Sequence, residues 1–126
     1  LKLVVTSSIK KLELDLLENI FSLDVLKMAA SKALQGLGEN IKSSHKIPFT
    51  CLKKIYLTSS GGAGRAIFLL KIVEEKSVIV LIKMKNDKQI GANMTIKNPK
   101  FKKILERNLE MILSDLGNGN YEEYVL

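Results

Sequence analysis

LKKIYLTSSGGAGRAIFLLKIVEEKSVIVLIKMK, residues Leu52–Lys85, is the stretch that decides the fold. Branched aliphatic and aromatic residues dominate three runs, and two short polar segments separate them, so the stretch predicts three consecutive strands. The first covers Leu52 to Thr58 and ends in Ser59-Ser60-Gly61-Gly62-Ala63-Gly64. The second covers Arg65 to Val73, and Glu74-Glu75-Lys76 turns the chain. The third covers Ser77 to Lys85. Ala66–Leu70 and Val78–Ile82 are unbroken apolar runs, which predicts burial on both faces and a central place in the sheet. Short polar turns join neighbours antiparallel.

Working outward, Asn86-Asp87-Lys88 predicts a further turn and Gln89–Ile96 a last, weaker strand. Asn98-Pro99 has the form of a helix start, with an N-cap side chain followed by proline at the first helical position. Phe101, Leu105, Leu109, Ile112 and Leu116 recur at helical spacing, and Gly117 is the expected stop. The tail from Asn118 to Leu126 is expected to fray. On the N-terminal side, residues 39–50 are polar and predict a loop. Leu1–Thr6 predicts a strand. Ile9, Leu12, Leu16, Leu17 and Ile20 predict one helix to about Phe21, and Leu23, Leu26, Ala30, Ala33, Leu34 and Leu37 a second, stopped at Gly36 or Gly38. The expected fold is α+β: an N-terminal strand and α-hairpin packed on a small antiparallel sheet, with an extra C-terminal helix, all in a single domain over residues 1–126.

Hydrophobic residues make up 46% of the 126, enough for one core. No apolar run reaches the roughly 20 residues of a membrane span, and no charged-then-apolar segment opens the chain. The expectation is a soluble, cytoplasmic protein with no membrane association. One cysteine, Cys51, excludes an intrachain disulfide. One His and one Cys do not furnish a metal site, and no cofactor is expected. His45, six residues before Cys51, makes a weak case for a nucleophilic pair. The glycines at 61–64 lead into a strand, not into the Lys-Ser/Thr and helix of a P-loop, and fit a hairpin connection.

The net charge is +7, and its distribution is uneven. Residues 40–103 carry fourteen basic side chains against three acidic, whereas residues 104–126 carry one against five. Such a basic middle is the footprint expected of a phosphate-binding surface. Alternation along strands puts Lys54, Tyr56 and Thr58 on one face and gives Lys83 and Lys85 a shared face. In an antiparallel sheet Arg65 starts its strand beside the end of the third, so Arg65, Lys83 and Lys85 converge with Lys88 just beyond. Crowded like charges cost stability unless a polyanion shares them. Attack of a ribose 2′-hydroxyl on its own phosphodiester needs a base, an acid and a fixed positive charge. A crowded lysine is a possible base, arginine a fixed charge, and Tyr56 a stacking or hydrogen-bonding group.

The segment from Lys54 through the Ser/Gly turn to Arg65-Ala-Ile-Phe-Leu-Leu resembles the middle of RelE/ParE-type bacterial toxins, where a strand beginning Gly-x-Arg-hydrophobic follows such a turn. Val78–Lys88 resembles the family's strand ending in a Lys-x-x-Lys/Arg signature, and Asn93 is similar to the HigB-like branch. The resemblance covers roughly residues 1–97. It implies a RelE-like domain and a toxin of a type II toxin–antitoxin system. RelE- and HigB-like members cut mRNA in the ribosome, and ParE-like members poison DNA gyrase. By motif, Arg65 corresponds to the arginine on the scissile phosphate, Lys53 or Lys54 to the basic strand residues, and Lys85 or Lys88 to the C-terminal basic pair. The expected site is therefore Arg65, Lys54, Lys85 and Lys88 as catalytic residues, with Lys53, Tyr56 and Lys83 as RNA-binding ones. The implied partners are a cognate antitoxin, mRNA and the ribosome, with homo-oligomers or toxin–antitoxin hetero-oligomers as assemblies. The alternatives are a ParE-like toxin without enzymatic activity and a basic RNA-binding module. Two features depart from RelE: no tyrosine follows shortly after Lys88, and a helix is added at 99–116.

Overall fold

The computed structural model describes residues 1–42, 47–90 and 93–126. Its core is the predicted meander. Strands β3 (Thr50–Ser59), β4 (Gly62–Lys71) and β5 (Lys76–Met84) run antiparallel, with β4 in the middle. Ala66–Leu70 and Ser77–Ile82 are buried throughout, so both sheet faces are covered. Ser59 pairs with Gly62, which leaves only Ser60 and Gly61 to turn the β3–β4 hairpin. Gly62, with φ 134°, adopts a conformation that side chains rarely take.

Around the meander, β1 (Lys2–Thr6), β2 (Glu39–Ile41) and β6 (Tyr121–Val125) extend the sheet to six strands in the order β2-β3-β4-β5-β1-β6, and the domain is α+β. The antiparallel expectation is corrected here, because β1 (Lys2–Thr6) lies beside β5 and runs parallel to it, making the sheet mixed. Leu3, Val4 and Val5 are all buried, the mark of an interior strand. The tail is corrected too. Tyr121–Val125 forms β6, antiparallel along the whole of β1, and Lys76 and Lys2 hold Glu123 at 2.6 and 3.6 Å. β6 exists because α3 (Pro99–Asn118) carries the chain back to an open β1 edge, whose backbone groups take new partners. At the other edge, Glu39–Ile41, expected in a loop, forms β2 on β3. The weak strand expected over Gln89–Ile96 does not form among the described residues. Asp87 instead accepts from the amides of Gln89 and Ile90, a turn that competes with strand pairing.

The predicted first helix is broken into α1 (Ser7–Ile9), a π-helical turn at Lys10–Leu14 and a 3₁₀ turn at Asp15–Leu17. Its expected stripe residues Leu12 and Leu16 are 40% and 76% exposed, while Glu13 is 2% exposed. Burying Glu13 against β5 takes precedence over the 3.6-residue period. Helix α2 (Leu23–Leu34) forms as predicted, with Ser22 capping the Val25 amide and Gly36 leaving the helix at φ 86°. Helix α3 starts at the predicted Asn98-Pro99 cap and ends on Gly119, φ 73°, two residues beyond the expected Gly117.

Candidate functional site

Cross-strand partners share a sheet face, and the register builds one polar row from them. Glu39 on β2 pairs with Lys54 on β3; two residues on, Tyr56 pairs with Arg65 on β4, which pairs with Lys83 on β5. The last pairing depends on a β-bulge. Phe68 faces Ile79 but Ile67 faces Leu81, so Val80 is an extra residue on β5. An unbroken ladder would set Ile82 opposite Arg65; the one-residue offset sets Lys83 there instead. Asn108 on α3, fully buried, donates from its amide nitrogen to the Val80 carbonyl at 2.9 Å, which satisfies a group left over by the bulge.

Tyr56 is the exposed centre of the row. Its ring carries the Arg65 guanidinium at 5.2 Å and the Lys54 ammonium at 5.8 Å, within cation–π range. Arg65 is half-buried, and on the opposite face its neighbour Gly64 leaves room for Phe21, whose ring an added Cβ would meet at 2.7 Å. Lys54 is only 5% exposed. Its ammonium donates to the Met94 carbonyl at 3.3 Å and pairs with Glu39 at 3.2 Å. The other Glu39 oxygen accepts from the Tyr56 hydroxyl at 3.0 Å. These contacts, the Lys54 hydrogen bond foremost, hold the Glu39 carboxyl below the usual carboxylate range.

Lys83 has its own counter-ion. Glu13 accepts from the Lys83 ammonium with one oxygen at 3.1 Å and from the Ile82 amide with the other at 3.1 Å. Burial pushes the Glu13 carboxyl up, and Lys83, the Ile82 N–H and the charge of Arg107 oppose that push. The expected crowd of uncompensated cations is thus corrected, since carboxylates from two distant segments enter the row. Alternation within the basic stretch gave no sign of either one.

The remaining predicted residues lie apart from this row. Lys53 points to the other face and donates to the Gly36 carbonyl at 3.3 Å, at the end of α2. Lys85 follows β5, exposed, with its amide bonded to the Ala63 carbonyl at 2.9 Å, one step beyond the Gly64–Met84 pair. Lys88 is exposed in the same connection. Cys51 is a free thiol in β3, and His45 lies outside the described residues. Among the described residues no group of three or more His, Cys, Asp or Glu is placed to hold a metal ion, and no helix is long and apolar enough to cross a membrane.

Sequence reasoning missed Glu13, Glu39 and Asn108. A lone acid where an amphipathic helix needs an apolar residue was the one available signal, at Glu13. What the row offers chemically is a fixed guanidinium on an exposed ring, between two lysines that already hold carboxylates. No protein-family model matches the chain, and no curated protein matches it.

Proposed function

We propose that this chain is a RelE/HigB-like toxin of a type II toxin–antitoxin system, a metal-independent endoribonuclease that cuts mRNA on the ribosome. The observation that carries the reading is the Arg65 guanidinium over the exposed ring of Tyr56, flanked on one sheet face by Lys54 and Lys83. Arginine offers two parallel donors to phosphate oxygens, and the tyrosine ring offers a stacking surface for a splayed base. In this reading the ribose 2′-oxygen attacks phosphorus as its proton passes to water, the P–O5′ bond breaks, the 5′-oxygen takes a proton from water, a 2′,3′-cyclic phosphate remains, and Arg65 stabilises the charge on the phosphorane. Lys54 and Lys83 flank Arg65, each paired with a carboxylate. Exposed Lys85 and Lys88 steer the strand at the end of β5. The cognate antitoxin would cover this face, and the acidic C-terminal segment or an open sheet edge would receive an extended or helical partner.

The test is tightly controlled expression of the wild type and Arg65→Ala in a bacterium, with mRNA ends mapped after induction. New ribosome-dependent ends that drop about 100-fold in the folded mutant support the reading, the usual scale for removing one transition-state charge. Unchanged arrest and cleavage in a folded Arg65→Ala protein sinks it. One observation favours the second reading, a ParE-like toxin without catalysis: both lysines of the row are already occupied by Glu39 and Glu13. It expects arrest with DNA damage and intact mRNA. A folded protein that causes no arrest leaves a basic RNA-binding module.

A further inference from the structure

We propose that the Glu39 carboxylate occupies the place of a substrate phosphate, and that Lys54, Tyr56 and Arg65 form an oxyanion site from which Glu39 swings out when an RNA phosphodiester binds. The inference rests on the RNA reading of this face. Its basis is a mismatch within one ion pair. The Lys54 side chain is 6% exposed and fixed by the Met94 carbonyl, whereas the Glu39 side chain is 55% exposed. A buried ammonium requires an anion beside it. An exposed carboxylate at the edge of a sheet is held only weakly. Glu39 is the first residue of a three-residue edge strand, so its side chain can leave without breaking the core. The cation therefore stays and the anion exchanges.

The geometry of the occupant supports the exchange. The two oxygens of Glu39 take separate donors, Lys54 at 3.2 Å and the Tyr56 hydroxyl at 3.0 Å, as two oxygens of a phosphodiester would. The Tyr56 ring that carries this hydroxyl carries the Arg65 guanidinium 5.2 Å from its centre. An incoming phosphate thus meets two donors already turned to one anion, with the Arg65 guanidinium on the same ring.

The experiment titrates a fluorescent single-stranded RNA oligonucleotide with wild type, Glu39→Gln, Glu39→Asp and Glu74→Gln at one salt concentration. Glu74 is the charge control, because it sits in the β4–β5 turn, at the far end of β4 from Arg65, where it pairs with Lys71. If the carboxylate fills the site nine-tenths of the time, Glu39→Gln binds about tenfold more tightly. Glu39→Asp, too short to reach both donors, gains affinity at unchanged net charge, and Glu74→Gln gains less than twofold. Equal gains in Glu39→Gln and Glu74→Gln overturn the proposal, as does wild-type affinity in Glu39→Asp or no RNA binding by any variant. Failure here leaves the cellular result for Arg65 standing, and failure there leaves this titration readable.

Discussion

Glu13 ties the row to the backbone of β5. It is buried, it neutralises Lys83, and it accepts from the β5 backbone. Glu13→Ala strands the Lys83 ammonium and should cost about 3 kcal/mol, the low end for a broken buried pair because Lys83 keeps some contact with water; urea denaturation measures it. The pH dependence has a definite sign. The folded-state pKa of Glu13 lies above its unfolded value, so its contribution to stability is full below about 4.5 and is lost as pH rises through the raised folded pKa. Glu13→Gln lacks that proton uptake, so wild type should gain stability relative to it as pH falls from neutral toward 4.5. A wild type that loses stability relative to Glu13→Gln as pH falls over that window contradicts the assignment. Arg65, Lys54, Tyr56 and Lys83 were legible at this scale, since strand alternation alone puts such residues on faces. Glu13 and Glu39 were not, because a side chain that arrives from another segment leaves no mark on the local period.

Among the elements, the meander β3–β5 and helices α2 and α3 were readable from turns, caps and apolar periodicity. The two outer strands were not, because Glu39–Ile41 and Tyr121–Val125 are too polar to form strands until a neighbour's edge is present. That dependence runs both ways for β6. Ending the chain at Asn120 reopens the edge of β1 and removes Glu123 from Lys2 and Lys76. The truncated protein should melt several degrees lower and self-associate in size-exclusion chromatography; a monomer with unchanged melting temperature would show that β6 contributes little. Helix α3 is joined to the start of the chain as well, since Asp115 accepts from the Ser8 amide at 2.8 Å. Its Asn108 does more for the site. Asn108→Ala leaves the Val80 carbonyl without this donor, and should cost about 1–3 kcal/mol. It should also lower RNA affinity, which Glu13→Ala can be compared with in the same titration.

For the molecule as a whole, charge is the property that sequence conveyed best and least completely. The basic middle of the chain is real, but folding mixes it with acids from both ends: Glu13 and Glu39 enter the row and Glu123 binds Lys76. The surface available to a polyanion is accordingly smaller than fourteen basic residues suggest. RNA affinity should fall with salt along a log–log slope set by only a few phosphates, about −0.7 for each one neutralised on a single strand. A slope steeper than about −5 would mean that the footprint extends far beyond Arg65, Lys54, Lys83, Lys85 and Lys88. The bulge at Val80 has a last consequence, for how such a gene can change. Deleting one codon inside a buried strand normally turns every following side chain to the wrong face. Here the loss of Val80 would flatten β5 and still leave Lys83 opposite Arg65, at the cost of core packing and of the hydrogen bond that Asn108 gives the Val80 carbonyl. The surplus residue makes this one point in the sheet a place where the harshest small mutation spares the site.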